Sequence, residues 1–99
     1  MVGPDKARKK FCEHKAILEE HLKAYNAWPN ASTIPLRYIG EYKARHIRRY
    51  KRNKGEGKET EAAAWLKVIK QNDADVLALA STYPSNAEKV LEWIGKEVE

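Results

Sequence analysis

The sequence predicts an all-α protein, a single domain over residues 1–99 of four or five helices packed as an irregular bundle. Apolar residues recur three and four positions apart in several segments, which is the helical period. No segment alternates apolar and polar residues as a half-buried strand does. Pro, Gly and Asn residues punctuate the chain between the helical segments. A chain of 99 residues is long enough to bury one small core.

The first predicted helix begins at Pro4-Asp5 and runs to about Ala27. Asp5 places a negative charge in the first turn, where it complements the helix dipole. Lys6, Arg8, Lys9 and Lys10 follow and are interpreted as a solvated, frayed terminus in preference to a second anion contact. The expected apolar stripe consists of Phe11, His14, Leu18, Leu22 and Tyr25.

The second predicted helix, from Pro35 to Lys54, is the most distinctive segment. Eight Lys or Arg residues and one acid, Glu41, lie between Arg37 and Lys54. Trp28 and Ile34 are expected to pack beneath the preceding loop. At about 100° per residue, one side of the helix forms a core face: Leu36, Ile39, Lys43, His46, Ile47 and Tyr50. A second side forms a basic ladder: Tyr38, Tyr42, Arg45, Arg49 and Arg52.

The third helix is predicted to start near Glu59 or Thr60, after a flexible turn that contains two glycines. The polar run Gln71-Asn72-Asp73 is expected to end it, with Asp73 capping a short fourth helix. That fourth helix should bury Val76, Leu77, Leu79 and Ala80. Ser85 and Glu88 have capping-box spacing and predict a last helix. Its expected buried residues are Ala87, Val90, Leu91, Ile94 and Val98.

The net charge of +5 conceals an uneven distribution. Residues 1–54 hold 14 Lys or Arg and 5 Asp or Glu, whereas residues 55–99 hold 5 and 9. Such asymmetry favours a negatively charged partner. The alternative is that the acidic half folds over the basic helix and neutralises it.

Catalytic and metal-binding patterns are not found in the sequence. His14 and His21 are seven residues apart, about 10 Å along a helix, so they cannot share one metal ion. The GEGK segment lacks the spacing and the hydroxyl residue of a phosphate-binding P-loop. We therefore predict no catalytic residues, no metal site and no cofactor. Cys12 is the only cysteine, which fits a cytoplasmic location. The sequence contains no run of about 18 apolar residues, so we expect no membrane partner.

Binding to a polyanion is the leading functional prediction. Arginine binds phosphate in a bidentate manner, and each phosphate that is neutralised releases counterions. Tyrosine rings beside arginines can stack on exposed bases. The partner is expected to be nucleic acid or a nucleotide. The candidate binding residues are Tyr38, Tyr42, Arg45, Arg48, Arg49, Arg52 and Lys54.

One segment resembles a known family. Arg48-Arg49-Tyr50-Lys51, Lys54-Gly55 and Glu59 through Ala63-Ala64-Trp65-Leu66 to Ile69 are similar to a small uncharacterised phage domain, which also occurs in a phage nucleotide kinase. The match covers about a third of the chain. The resemblance implies a phage-encoded protein acting in the host cytoplasm. It also implies that Arg48, Arg49, Lys54 and Glu59 belong to a nucleotide or phosphate site.

Two other functions remain open at this point. One is a protein–protein inhibitor of a host defence complex, because small phage proteins commonly act in that way. This alternative requires Trp65, Trp93 or Tyr83 to be exposed as an anchor. The other is an enzyme of nucleotide metabolism, which the missing catalytic patterns make the less favoured choice.

Overall fold

A computed structural model describes residues 3–30 and 32–95, apart from the side chains of Lys89 and Trp93. Four helices occur in this part of the chain: α1 (Pro4–Tyr25), α2 (Ile34–Gly55), α3 (Glu59–Thr82) and α4 (Glu88–Ile94). The described residues include no strand, so the all-α prediction is confirmed. None of these helices combines the length and the apolar character that crossing a bilayer requires.

Local chemistry explains most of the helix ends. Proline occupies the first turn of both α1 and α2, where its missing N–H leaves no bond unmade. Asn26 adopts a left-handed conformation, with φ of 51°, and its N–H donates to the Leu22 carbonyl. This turn ends α1 at Tyr25, slightly before the predicted boundary. Gly57, with φ of 77°, forms the turn between α2 and α3.

The three long helices form a bundle in which α2 is antiparallel to α1 and α3. The Tyr38 ring lies against His14, and Tyr42 lies near Lys10, one turn earlier on α1. Between α2 and α3, Lys43 contacts Asp73. His46 lies further along α2 and packs near Trp65, which lies earlier on α3, so these two helices are antiparallel as well. The short α4 packs on α3 and α2. The resulting bundle is elongated, measuring 45 × 22 × 21 Å.

The predicted core face of α2 is confirmed. Leu36, Ile39, Lys43, His46, Ile47 and Tyr50 are all buried. The predicted position of Trp28 is also confirmed, because it is buried and joins the two loops at one end of the bundle. Its indole N–H donates to the Tyr83 carbonyl at 2.6 Å, and its own carbonyl accepts from Asn86 at 3.4 Å.

The predicted break at Gln71-Asn72-Asp73 is wrong, because α3 continues through it to Thr82. The polar side chains in this run have tertiary partners instead of capping a helix end. Asn72 accepts a hydrogen bond from Arg8 at 2.8 Å, and Asp73 accepts one from Lys43 at 3.0 Å. The described helices therefore number four, with no helix-turn-helix unit between residues 59 and 82.

Several predicted core positions are exposed. Tyr25, the last residue of α1, is 70% exposed, and Ile34, the first residue of α2, is 71% exposed. Leu77 is also exposed because it lies about 100° around α3 from the buried Val76. Leu91 is exposed on α4. Val98 lies outside the described residues.

The predicted capping box is also wrong in its position. The last helix begins at Glu88, so the residue immediately before it is Ala87. The sequence had predicted Ser85 at this capping position. The Ala87 carbonyl accepts the first helical hydrogen bond, from the Leu91 N–H at 3.0 Å. Asn86 adopts a left-handed conformation with φ of 54° and turns the chain before the helix starts. This turn separates Ser85 from the first helical N–H groups.

Candidate nucleic-acid interface

A column of three stacked rings joins α1 to α2. The ring centroids of His14 and Tyr38 are 4.3 Å apart, and those of Tyr38 and Tyr42 are 4.2 Å apart. The Tyr38 hydroxyl donates to the Ala7 carbonyl at 3.2 Å. Burial, reinforced by Tyr42, raises the pKa of Tyr38 to about 12, so the hydroxyl stays protonated and remains a donor. This column fixes the position of Tyr42 at the edge of the seam between the two helices.

Tyr38 does not have the exposure that base stacking requires. Its side chain is buried, and each face of its ring is covered, one by His14 and the other by Tyr42. The expectation that Tyr38 stacks on a base is therefore replaced by a structural role in the column. Tyr42 is only half-buried and remains the aromatic candidate, with one face of its ring covered by Tyr38.

Two cations lie near the Tyr42 ring. The Arg45 guanidinium carbon is 4.8 Å from the ring centroid, and the Lys10 ammonium is 6.0 Å from it. Both distances lie within the range of cation–π attraction. Lys10 was interpreted from the sequence as part of a solvated terminus. The sequence did contain an indication that Lys10 lies at the interface with α2. It is four residues before His14, which places both side chains on one face of α1.

Arg49 and Arg52 line a groove of about 380 Å³ at the other end of the same seam. The Arg49 guanidinium lies over the buried Trp65 ring, with its carbon 5.2 Å from the centroid. Gly3 and Pro4 at the start of α1 form one facing wall, and Glu61 and Trp65 of α3 form another. The groove also contains acidic groups, of which Glu56 lies 3.6 Å from the Lys58 ammonium.

The remaining two candidate residues lie elsewhere on α2. Arg48 is exposed. The Lys54 ammonium is 3.2 Å from the Tyr50 hydroxyl and 5.6 Å from the centre of that ring. Lys54 borders a separate open groove of about 300 Å³ with Tyr50, Lys51 and Gly55. The structure therefore places the candidate residues at different positions along α2. These are the ring column with Arg45, the groove of Arg49 and Arg52, and the groove of Lys54, with Arg48 exposed between them.

The described residues of the acidic half form no ion pair with the four arginines in the later part of α2. Within the described part of the chain, Lys43–Asp73 is the one ion pair that joins α2 to a later element. No described carboxylate lies within 4.0 Å of Arg45, Arg48, Arg49 or Arg52. Among the ion pairs of the described residues, the acidic half thus contacts α2 at Lys43, which faces the core.

A small cavity of about 20 Å³ lies inside the bundle and is lined mostly by apolar side chains. Its polar border consists of Lys43, His46, Asn72 and Asp73. Burial, aided by the nearby Arg49 charge, lowers the pKa of His46 to about 4. Burial also raises the pKa of Asp73, although the hydrogen bond from Lys43 acts in the opposite direction. The cavity is large enough for about one water molecule and too small for a substrate.

No metal site is formed by the described residues, where no three His, Cys, Asp or Glu side chains are grouped closely enough to hold an ion. The three histidines are occupied in different surroundings. His14 stacks on Tyr38, and His46 packs near Trp65. His21 lies against Tyr25, with their ring centroids 4.7 Å apart.

The aromatic anchors required by the inhibitor alternative can be located in part. Trp65 is buried beneath Arg49, so its ring is not available to a partner protein. Tyr83 is half-buried and packs against the core. The Trp93 side chain lies outside the described set.

Comparison with protein families, curated proteins and solved structures finds no match to this chain. The resemblance to a phage domain therefore remains a prediction. Any functional argument depends on the geometry of the site itself.

Proposed function

We propose that this protein binds nucleic acid or nucleotide phosphates through the exposed face of α2. The observation that carries the proposal is the group of four arginines, Arg45, Arg48, Arg49 and Arg52, which lie on one helix without a described carboxylate partner. Unpaired arginines along one helix are suited to bidentate phosphate contacts.

Two of these arginines are held in place before a ligand arrives. Arg45 lies over Tyr42, and Arg49 lies over Trp65. A guanidinium packed on a ring loses less side-chain freedom when it binds, because part of that freedom is already restricted. Its N–H groups still project from the ring edge and can donate to phosphate oxygens. The ring contacts therefore support phosphate binding by these residues.

The proposal predicts binding that weakens steeply with salt. Each neutralised phosphate contributes roughly −0.7 to −0.9 to the slope of log K against log salt concentration. Three contacts, from Arg45, Arg49 and Arg52, should therefore contribute a slope of about −2 to −3. The measurement is fluorescence anisotropy with mixed-sequence DNA and RNA over a range of salt concentrations.

The Arg45→Ala/Arg49→Ala/Arg52→Ala variant should bind at least about 30-fold more weakly at low salt and show a shallower slope. The matched control is Lys23→Ala/Lys67→Ala/Lys70→Ala, which removes the same charge from exposed positions on α1 and α3. Thermal unfolding of both variants checks that the fold is retained. Absence of wild-type binding at low salt, or equal affinities for the two variants, would reject the proposal.

A further inference from the structure

The geometry points to single-stranded nucleic acid as the ligand, lying along the seam between α1 and α2. A base would occupy the groove beside Tyr42, and phosphates would contact Arg45, Arg49 and Arg52. This inference rests on the proposed function and makes it more specific, because it names both the form of the nucleic acid and a second helix that contacts it.

The first step of the argument is that α1 supplies the second wall of the seam. The Lys10 ammonium lies 6.0 Å from the centroid of the Tyr42 ring. Lys6 lies one helical turn before Lys10 and therefore on the same face of α1. Because α1 and α2 are antiparallel, this turn lies alongside the later part of α2, where Arg49 is found. Cations thus line the seam from both helices.

The second step is that the seam contains two grooves of suitable size. One measures about 330 Å³ and is bordered by Lys10, Arg37, Glu41 and Tyr42. The other is the groove of about 380 Å³ that Arg49 and Arg52 line. Both volumes lie near the lower end of the range for small-molecule sites, about 300–1,000 Å³. Seven to ten residues of α2 separate the grooves, which corresponds to about 10–15 Å.

The third step assigns different parts of the ligand to the two grooves. The groove is bordered by the Tyr42 ring, one face of which is covered by Tyr38. The exposed Arg45 guanidinium lies over this ring, so a base would stack on the outer plane of the guanidinium. Bases of unpaired strands stack on aromatic rings and on guanidinium planes. The same groove contains the exposed Glu41 carboxylate, which repels phosphate but can accept a hydrogen bond from a base amino group. The other groove holds the guanidinium groups of Arg49 and Arg52 and the Lys58 ammonium against two carboxylates, Glu56 and Glu61, so its net positive charge suits phosphate.

The fourth step distinguishes a single strand from a duplex. In a duplex the bases are already stacked on one another, so the Tyr42 groove would remain empty. A recognition helix must also enter the major groove, which requires an uncovered helix face. Along α2, however, α1 and α3 pack on two sides, and the Tyr42 side chain is itself half-buried at the edge of the seam with α1. The exposed part of α2 is therefore a stripe beside a seam.

The test compares the affinity for a mixed-sequence strand of about 12 nucleotides with that for the corresponding blunt duplex, at low salt. We expect the wild-type protein to bind the strand at least about tenfold more tightly. Tyr42→Leu should weaken strand binding by about tenfold and duplex binding very little, whereas Tyr42→Phe should retain the wild-type values.

A second pair of variants tests the α1 wall with exposed residues. Lys6→Ala/Lys10→Ala should weaken strand binding by several-fold and reduce the salt slope. The control, Lys67→Ala/Lys70→Ala, changes the net charge equally on α3 and should bind like the wild type. Because all four lysines lie on helix surfaces, the result does not depend on a core substitution.

The outcomes separate the two proposals. Equal affinity for strand and duplex, equal binding by the Tyr42→Leu and Tyr42→Phe variants, or equal binding by the two lysine variants would overturn the single-strand inference. Each of these results leaves phosphate binding by the arginines of α2 intact. Failure of both nucleic acids to bind at low salt would overturn the proposed function as well.

Discussion

His46 is a titratable residue held inside the bundle, where it is only 2% exposed. The rings of Trp65 and Tyr42 lie near it, and the Arg49 charge acts on it from the next turn of α2. Lys43 and Asp73 border the same cavity. Burial and the nearby positive charge both oppose protonation, which explains why the pKa of His46 falls from 6.5 to about 4.

We predict that acid destabilises the protein partly through His46. Between pH 6.5 and about pH 4 the unfolded chain binds a proton that the folded chain does not, so the free energy of unfolding decreases as pH falls through this range. The contribution is fully present above pH 6.5, and its loss should reach about 3 kcal/mol near pH 4. Urea unfolding at several pH values measures it.

His46→Gln should flatten this pH dependence. Asp73 acts in the opposite direction because its pKa is raised in the folded protein, so its contribution is lost as pH rises. The difference between the wild-type and His46→Gln profiles isolates the histidine. Parallel profiles for these two proteins would contradict the prediction.

Lys43 and Asp73 form an ion pair that is largely removed from water on the lysine side. The Lys43 side chain is 8% exposed, and its ammonium donates to Asp73 at 3.0 Å and also to the Ile94 carbonyl. We predict that Asp73→Asn lowers the free energy of unfolding by about 1 kcal/mol, less than for a fully buried pair. The buried ammonium loses its counter-charge, but the desolvation of the Asp73 carboxylate, which raises its pKa, is relieved at the same time. Chemical denaturation provides the measurement.

The matched control for this ion pair is Glu41→Gln, which removes the exposed carboxylate that pairs with Arg37 at 3.3 Å on the same helix. An exposed pair contributes at most about 0.5 kcal/mol, so this variant should be nearly as stable as the wild type. The double variant Lys43→Met/Asp73→Asn should recover part of the loss, because both charges are removed together. Equal stabilities for the Asp73→Asn and Glu41→Gln variants would show that the buried ion pair contributes no more to the free energy of unfolding than the exposed one.

At the scale of elements, the connection between α2 and α3 contains two glycines. It requires glycine at position 57 but not at position 55. Gly57 has φ of 77°, whereas Gly55 is the last residue of α2. A Cβ at either position would meet nothing within 4 Å, so backbone conformation alone distinguishes them. A side chain in the left-handed conformation costs about 1–2 kcal/mol, and alanine in a helix gains up to about 1 kcal/mol over glycine.

Gly57→Ala should therefore lower the unfolding free energy by about 1 kcal/mol, and Gly55→Ala should leave it unchanged or raise it. Thermal and urea unfolding of the two variants give the comparison. Each variant controls for the other, because both add one methyl group to the same exposed turn. The prediction fails if Gly57→Ala is as stable as Gly55→Ala.

The helix α3 shows how tertiary partners override a local signal. Asn72 and Asp73 are typical cap residues, and the sequence accordingly predicted a break there. In the folded chain Arg8 from α1 and Lys43 from α2 bind these two side chains. Asp75 continues the pattern, because its Oδ2 lies 2.7 Å from Arg8 as an ion pair without an aligned hydrogen bond. Long-range contacts thus hold α3 as one helix.

At the scale of the whole molecule, the antiparallel arrangement of α1 and α2 creates the candidate binding seam. It brings Lys10 to Tyr42, and it brings Gly3 to the groove of Arg49 and Arg52. On the opposite side of α2, the single described ion pair with the acidic half is directed into the core. The positive charges of Arg45, Arg48 and Arg52 remain exposed, which is the arrangement that the proposed function needs.

The sequence by itself determined the helical class, the core face of α2 and the position of Trp28 beneath its loop. These features follow from the period of apolar residues and from proline and glycine chemistry, which act over a few neighbouring positions. Whether α3 is interrupted, which tyrosine is covered and which lysine reaches the seam were decided only by the tertiary structure. Each depends on partners 24 to 64 positions away, such as His14 for Tyr38 and Arg8 for Asn72. Local sequence patterns do not encode contacts over such separations.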